Sequence, residues 1–395
     1  MTNTSTRPHI HGTVLLLVLA FGILTGIGCR TKPFASYPIG IYGVASTNDL
    51  AAVREAGFNL VAGPADKNYL DAAHRLGLGV MASPGTSAGK SFDASIARSV
   101  VTQFDSHPAL WAWYLIDEPD LNRVAPTDVR NANRFLKNLP ARKPTTLVIY
   151  QGYTAQDYAN IADVTMIDRY PVPWLPLANV AQHVRMTRLA LGRNKPLISI
   201  LQAFDWTAYP EQLPGETNLR APTHEELRCM AYSSLVQGAN GLFFFAFDAG
   251  NWKLRDAPKL WTAVQQVVAE VHRRLPLFEA EHLWYPFHTQ YGDRGTRFNA
   301  ALDASVSISM LRVHKGSAAL PAGDYVLAVN TTPLPHAFSF KLPHLPMGAI
   351  EVHEEKRLVP ILQSWVHDDF APYAVHVYGP LSKSYTSPTT TSGNR

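Results

Sequence analysis

Three acidic residues follow a run of aromatic and aliphatic residues in the first third of the chain. The run at residues 111–116 has the character of a buried strand, and Asp117, Glu118 and Asp120 come directly after it, around Pro119. Because proline cannot donate to a strand ladder, we expect the strand to end there, with Glu118 at its carboxyl end. A carboxyl at the end of an apolar strand tends to have a raised pKa, which a general acid needs. The alternative is that these acids only cap the next helix.

These acids belong to a chain in which strand-like runs alternate with amphipathic stretches. We predict strands at residues 38–44, 59–64, 79–84, 110–116, 145–150, 164–167, 196–201 and 241–247. Helices are predicted at 46–56, 67–76, 92–104, 127–139, 180–191, 224–237 and 259–274. Eight strands in about 240 residues predict a TIM barrel. A doubly wound sheet is the alternative, but Gly40 and Gly43 are only a weak trace of the glycine-rich phosphate loop that it needs.

The pattern changes after the predicted barrel. Short alternating segments at 307–313, 325–330 and 374–378, separated by Gly and Pro, predict a small antiparallel β-sandwich. We therefore divide the chain into a signal peptide, a tether, the barrel, the sandwich and a disordered tail, at residues 1–29, 30–37, 38–276, 277–380 and 381–395. With 46% hydrophobic and 17% charged residues, the chain has enough apolar material for a large core.

The first 29 residues have the features of an export signal. Arg7 precedes an apolar run at residues 14–27, which is short for a membrane span. The segment ending at Cys29 resembles a bacterial lipoprotein signal, which implies that Cys29 carries lipid, although Gly26 stands where that family usually has leucine. We expect an exported protein of the bacterial cell envelope, lipid-anchored to a membrane or periplasmic. A plain signal peptide and an uncleaved anchor are the alternatives.

Composition and motif spacing argue against several other functions. Cys29 and Cys229 are the only cysteines, which excludes a disulfide framework. The histidines are scattered, so we expect no metal site and no cofactor. No Gly-x-Ser-x-Gly elbow is present, which argues against a serine hydrolase. Lysine and arginine do not cluster, so we expect no nucleic-acid partner.

Position decides function in a TIM barrel, because active sites lie at the carboxyl ends of the strands. Acids, amides and aromatic residues follow several of the predicted strands. The candidates are Tyr42, Asp117, Glu118, Gln151, Asp168, Tyr170, Gln202, Trp206 and Asp248. Aromatic rings stack on sugar rings, while amides and acids hydrogen-bond sugar hydroxyls. The sequence therefore predicts a carbohydrate-binding site at this end of the barrel.

Cleavage of a glycosidic bond needs one carboxyl to protonate the leaving oxygen and a second to act as nucleophile or base. Glu118 is the predicted acid, and Asp168 is the predicted second carboxylate. The alternative for Asp168 is an ion pair or turn cap beside Arg169. Asp117 is expected to point away from Glu118 and support the site, because side chains alternate along a strand. Asp248, which precedes Ala-Gly-Asn, is more typical of a turn than of catalysis.

Residues 113–120 resemble the fourth-strand motif of TIM-barrel glycoside hydrolases of the β-galactosidase-like superfamily (clan A). Residues 168–171 and 222–243 are similar to segments of that family, and the sandwich resembles the small β domain that often follows such barrels. The resemblance implies that Glu118 is the acid/base. It also implies a nucleophilic glutamate after the seventh strand, where this chain has Gln202 instead. A glutamine cannot form a glycosyl ester.

Three interpretations therefore stay open. Glu118 and Asp168 form an inverting pair, or an acetamido sugar assists its own hydrolysis, or the barrel binds glycans without cleaving them. We predict a glycoside hydrolase that acts on an oligo- or polysaccharide with Glu118 as general acid. The alternative is a catalytically inactive glycan-binding or cell-surface scaffold protein.

Overall fold

The computed structural model describes residues 34–85, 92–140, 143–212, 215–291, 296–298, 305–343, 345 and 347–382. The predicted export signal with Cys29, and nearly all of the predicted tail, lie outside the described residues. In the described part of the chain, no helix combines the length and the apolar composition that a membrane span requires.

Within the described residues, eight parallel strands close into a barrel in which each strand pairs with the next and the last pairs with the first. The strands are β1 Ile39–Ile41, β2 Leu60–Ala62, β3 Gly79–Ala82, β4 Leu110–Ile116, β5 Thr145–Ile149, β6 Val164–Asp168, β7 Leu197–Gln202 and β8 Gly241–Phe245. The predicted TIM barrel is confirmed, and the doubly wound alternative is wrong. Each strand lies within a few residues of its predicted position.

Helices follow the strands around the outside of the barrel. They are α1 Leu50–Glu55, α2 Lys67–Arg75, α3 Ala94–Phe104, α4 Pro126–Lys137, α5 Ala155–Tyr158, α6 Ala178–Leu191, α7 His224–Val236, α8 Pro258–Arg273 and the short α9 Leu275–Phe278. The helix after β5 was not predicted from the sequence. It contains only 4 residues, too few to show a helical period of apolar positions.

Two apolar layers hold the barrel. The inner one fills the barrel with side chains that include Met166, Ile200 and Phe243, and the outer one packs strands against helices. Gly40 lies against the Phe243 ring, and a Cβ atom at Gly40 would lie 2.2 Å from that ring. The barrel interior therefore needs a glycine here so that the large ring can fill the space.

After α8 and α9 the described chain is built from antiparallel strands. A short hairpin, β9 Asp248–Ala249 with β10 Trp252–Lys253, already follows β8. The later strands are β11 Glu281–His282, β12 Thr289–Tyr291, β13 Thr296–Phe298, β14 Val306–Val313, β15 Gly323–Asn330, β16 His336–Lys341, β17 Gly348–Val352, β18 Arg357–Leu362, β19 Trp365–Phe370 and β20 Val375–Tyr378. They form one hydrogen-bonded sheet in the order β11-β14-β15-β20-β17-β18-β19-β16-β12-β13.

This sheet folds over a core of its own and matches the predicted sandwich. Met310, Phe338 and Tyr378 belong to the core between its two halves. The opposite face of β14, β15 and β20, with Leu327 and Val377, belongs to the same apolar cluster as the barrel helices. Because the two parts share this cluster, the boundary between residues 276 and 277 stays a prediction.

A polar network joins the barrel helices to the sandwich. Arg228 Nε donates to Glu270 Oε2 at 2.8 Å, and the Tyr232 hydroxyl donates to Glu270 Oε1 at 2.8 Å. Arg274 donates to the Tyr232 hydroxyl at 3.0 Å and to Glu354 Oε2 of the sandwich at 2.7 Å. Buried charges are tolerated when they are paired in this way. The network therefore ties α7 and α8 to the turn after β17.

Candidate active site

Glu118 leaves β4 in a conformation that is uncommon for a residue other than glycine. Its φ is +40°, in the left-handed region. The Glu118 N–H donates to the Val148 carbonyl at 3.1 Å, and its own carbonyl accepts from the N–H groups of Leu121 and Asn122 at 3.1 and 2.9 Å. The left-handed conformation costs about 1–2 kcal/mol. These three hydrogen bonds hold it in place, so the direction of the Glu118 side chain is set by the backbone.

The Glu118 and Asp168 carboxyl groups lie close together, near enough for each to shift the pKa of the other. Asp168 is the last residue of β6 and is only 4% exposed, and Tyr170 lies beside its carboxyl. Asp168 Oδ1 has no hydrogen-bond partner among the described residues.

Burial raises the pKa of both carboxyl groups. The pKa of Asp168 is raised well above its ordinary value, first by burial and then by the nearby charges of Glu118 and Asp117. The pKa of Glu118 is also raised, again mainly by burial, while the neighbouring Asp168 carboxyl and the charge of Arg169 oppose the rise. Because Asp168 is the more deeply buried, its pKa rises further than that of Glu118. The two groups titrate as one pair.

Asp117 lies in the same group of side chains as Glu118, and the prediction that it points away is wrong. The Tyr114 hydroxyl donates to the Asp117 carboxyl, and the Tyr114 ring lies 6.1 Å from the Tyr42 ring. Asp117 is also close enough to raise the pKa of Asp168. Side chains alternate only inside a strand, and β4 ends at residue 116. Tyr114 was missed because it stands inside the strand, three residues before Asp117.

Aromatic side chains lie at the mouth of the barrel, which is the opening at the carboxyl ends of its strands, on the side of β6, β7 and β8. The Tyr170 ring lies 5.2 Å from Phe204 and 5.6 Å from Phe245. Trp206 and Trp174 lie 5.5 Å apart, and both indole N–H groups are buried without a partner among the described residues. Trp174 was not predicted as a site residue, although it follows the sixth strand directly after Pro173. Neither N–H group is exposed to solvent in the free protein.

Gln202 is a structural residue in this fold. Its side chain is fully buried, and its Oε1 accepts from the Val172 N–H at 3.0 Å. Its Nε2 donates to the carbonyls of Val172 and Phe204 at 2.9 and 3.4 Å. No N–H of this amide is left for a substrate. The predicted substrate contact by Gln202 is therefore replaced by a role in holding the loop after β6.

Asp120 organises the loop that carries Gln151. Its two carboxylate oxygens accept from the backbone N–H groups of Tyr150 and Gln151 at 3.0 and 2.8 Å, and from the Thr154 hydroxyl at 2.8 Å. Gln151 itself is half-buried at the end of β5. Asp120, two residues after Glu118, thus positions the loop that follows β5.

The remaining candidates take different positions. Asp248 is exposed in the β9–β10 hairpin, as a turn residue would be. Arg169 directs its Nε to Asn179 Oδ1 at 2.8 Å, and its guanidinium lies 4.4 Å from the Tyr150 ring centre. Arg169 thus makes these contacts on the loops after β5 and β6 instead of the ion pair with Asp168 that was the alternative interpretation of that acid. In the part of the chain that the structure describes, no group of three or more His, Cys, Asp or Glu could hold a metal ion.

Solved structures with the same architecture include several carbohydrate-active enzymes. A protein described as a glycoside hydrolase aligns over 89% of this chain and 94% of its own, with 13% identity and a TM-score of 0.57. A glycoside hydrolase family 5 protein from Bacteroides vulgatus aligns over 89% and 92%, with 15% identity and a TM-score of 0.53. An Anoxybacillus α-amylase aligns over 86% and 90%, with 11% identity and a TM-score of 0.52.

At these identities the similarity establishes the fold. It covers the barrel and the C-terminal β domain together, because most of both chains is aligned. The chain matches no family model and no curated protein sequence. The first two of these structures are described as glycoside hydrolases.

Proposed function

We propose that this protein is a glycoside hydrolase that cleaves O-glycosidic bonds in an oligo- or polysaccharide, with Glu118 as the general acid. The observation that carries the proposal is the close pair of Glu118 and Asp168 carboxyl groups at the carboxyl ends of β4 and β6, both with raised pKa. In a TIM barrel this end of the strands is where reactions take place. A carboxyl whose pKa is raised by burial keeps its proton at a pH where isolated carboxyls are ionised.

The proton of this pair has a defined use in glycoside cleavage. The glycosidic oxygen is a poor leaving group until it is protonated, so an acid that is still protonated near neutral pH lowers the barrier. Glu118 is half-buried, whereas Asp168 is buried. Glu118 is thus the member of the pair that a substrate can reach. Asp168 is the buried carboxyl beside it.

The rest of the mouth suits a carbohydrate. Tyr42, Tyr170 and Trp206 are half-buried, and their rings offer flat apolar faces that suit stacking on sugar rings. Asp117 and Gln151 lie on the neighbouring loops as further polar contacts. Binding without cleavage is the second candidate function, and it is favoured by the structural role of Gln202, which leaves no nucleophile at the end of β7.

The test is turnover of a panel of glycans and aryl glycosides by the wild type and by Glu118→Gln. The variant keeps the size of the side chain but removes its acidic proton, so we expect turnover of natural glycans to fall by about 10²–10⁴-fold. Aryl glycosides with good leaving groups need little protonation and should lose least. Asp157→Asn, which changes an exposed acid on α5, is the control. Undiminished turnover by Glu118→Gln would exclude this assignment, and binding without cleavage by the wild type would favour the scaffold alternative.

We also propose that the protein acts in the cell envelope, attached to a membrane by lipid at Cys29. The apolar run at residues 14–27 that ends near this cysteine supports the proposal. An exported hydrolase at the cell surface or in the periplasm would meet polysaccharides from outside the cell. A single acyl chain binds membranes weakly, so stable attachment takes more than one chain.

A further inference from the structure

Glycoside cleavage needs a nucleophile at the anomeric carbon as well as an acid, and the mouth supplies none at the usual places. Gln202 occupies the position after β7, and its amide holds backbone groups. Asp168 is in direct contact with the proposed acid. Asp117 is adjacent to Glu118 and accepts from Tyr114, whereas a nucleophile must attack from the face opposite the acid.

The other acids in the loops after the strands are engaged elsewhere or exposed. Helix or turn caps are made by Asp66, Asp93 and Asp205. Asp49 pairs with Arg255 at 3.0 Å, and Asp120 holds the loop after β5. Exposed positions are taken by Glu211, Glu216, Asp248 and Asp256. The loop segments 86–91 and 213–214, which lie outside the described residues, contain no acid in their sequence.

A second observation concerns Asp168 itself. Its Oδ1 atom is buried and has no donor among the described residues, although the side chain is 96% buried beside Glu118. A buried acceptor without a partner costs about 1–3 kcal/mol. A ligand that brings an N–H group to this atom would remove that cost. The site therefore favours a substrate with a hydrogen-bond donor close to the bond that Glu118 protonates.

Resting on the proposed function, we infer that the substrate is a glycoside of a 2-acetamido-2-deoxy sugar and that its acetamido group is the nucleophile. The amide N–H donates to Asp168, and the glycosidic oxygen lies against Glu118. The acetamido nitrogen is bonded to C2, next to the anomeric carbon. The acetamido group thus supplies both the nucleophile that the protein lacks and a donor for the unpartnered Asp168 Oδ1.

The reaction balances without any further reactant. The acetamido carbonyl oxygen forms a bond to C1 while the C1–O glycosidic bond breaks, and the proton from Glu118 goes to the leaving oxygen. This step leaves a cyclic oxazolinium ion and a Glu118 carboxylate. Water then adds to C1, the C1–O bond of the ring opens to restore the acetamido group, and the proton of the water returns to Glu118. The net reaction is hydrolysis with retained configuration.

The contact between Asp168 and the substrate also moves a proton to where it is needed. In the free protein burial favours the protonated form of Asp168. A hydrogen bond from the acetamido N–H stabilises the charged form of Asp168, and the same negative charge stabilises the positive oxazolinium. The proton consequently passes to Glu118, which faces the leaving oxygen. Substrates without the acetamido group do not cause this transfer.

The experiment compares aryl β-glycosides of N-acetylglucosamine and N-acetylgalactosamine with those of glucose and galactose. The β configuration is needed because the carbonyl oxygen attacks from the face opposite the leaving group. We expect the wild type to prefer the acetamido substrates by at least about 10²-fold in kcat/KM, because an intramolecular nucleophile has a high effective molarity. Replacing acetamido by trifluoroacetamido, which weakens the carbonyl nucleophile, should lower kcat by at least about tenfold.

Asp168→Asn and the exposed control Asp157→Asn complete the design. Asp168→Asn should lose at least about 10²-fold in kcat on the acetamido substrates, because the amide neither stabilises the oxazolinium nor passes a proton to Glu118. Equal turnover of acetamido and hydroxyl substrates, or no effect of fluorination, would overturn this inference and leave the proposed function intact. Absence of turnover on both substrate series and on natural glycans would overturn the proposed function, and this inference with it.

Discussion

The side-chain amide of Gln202 pairs with both backbone groups of Val172, accepting from its N–H at 3.0 Å and donating to its carbonyl at 2.9 Å. Gln202 is the last residue of β7, and Val172 lies in the loop after the neighbouring strand β6. The position where the resemblance to clan A glycoside hydrolases implies a nucleophile is therefore used here to hold the loop that contains Trp174.

The first prediction follows from this pairing. Gln202→Ala removes the partners of two Val172 groups and of the Phe204 carbonyl, and each buried backbone group left alone costs about 1–3 kcal/mol. We expect the free energy of unfolding to fall by at least about 2 kcal/mol in urea denaturation. Gln156→Ala, at an exposed position on α5, is the matched control and should change stability by less than about 0.5 kcal/mol. Equal stability of the two variants would show that the amide contributes nothing.

The second prediction concerns stability against pH. Because the pKa of Asp168 is raised in the folded protein, the folded state binds more protons than the unfolded state above the unfolded value of about 3.9. Stability that this group contributes is therefore present at low pH and falls as pH rises toward the folded pKa. The slope reaches about 1.4 kcal/mol per pH unit for one group inside that window.

Asp168→Asn isolates this effect. The asparagine amide can still donate to Glu118 but does not titrate, so the variant should gain stability relative to the wild type as pH rises from about 4 toward neutral. Charged and titratable groups around the pair are Tyr42, Tyr114, Asp117, Glu118, Asp120, Arg169 and Tyr170. The measurement is urea unfolding across this pH range, with Asp157→Asn as control. Parallel pH curves for wild type and Asp168→Asn would contradict a raised pKa of Asp168 in the folded protein.

The third prediction tests the network between barrel and sandwich. Glu270→Ala leaves Arg228 and the buried Arg274 without their common carboxylate, and breaking a buried pair in this way costs about 3–5 kcal/mol. Glu354→Ala removes a side chain that is 35% exposed, while Arg274 keeps Glu270, so its cost should stay near or below about 1 kcal/mol. Denaturation followed by fluorescence and circular dichroism measures both. Similar losses of stability in the two variants would contradict the prediction that Glu270→Ala costs more than Glu354→Ala.

The fourth prediction concerns attachment to a membrane. If Cys29 carries lipid, Cys29→Ser should release the protein into the soluble fraction without changing its thermal stability, because the cysteine belongs to the segment before the barrel. Cell fractionation and labelling with a fatty-acid analogue report the change. Cys229→Ser, at a buried position in α7, is the control and should remain in the membrane fraction. A Cys29→Ser protein that stays membrane-bound would point to an uncleaved apolar anchor.

Much of the architecture was readable from local sequence patterns. The position of β4 and the placing of Glu118 at its end came from an apolar run that stops at an acid and a proline, and the structure has β4 at Leu110–Ile116. The sandwich followed in the same way from short alternating segments. These features are readable because hydrophobic periodicity and proline act on the backbone within a few residues.

Only the tertiary structure decided which side chains meet. The Glu118–Asp168 contact joins residues from two non-adjacent strands, and it depends on the left-handed conformation of a single residue. The same turn places Asp117 beside the pair, against the alternation that its position in the sequence suggested. The sequence does not show whether the Gln202 side chain faces a substrate or the backbone of a loop. Which side chains meet depends on how segments distant in sequence pack together, and local periodicity carries no information about this.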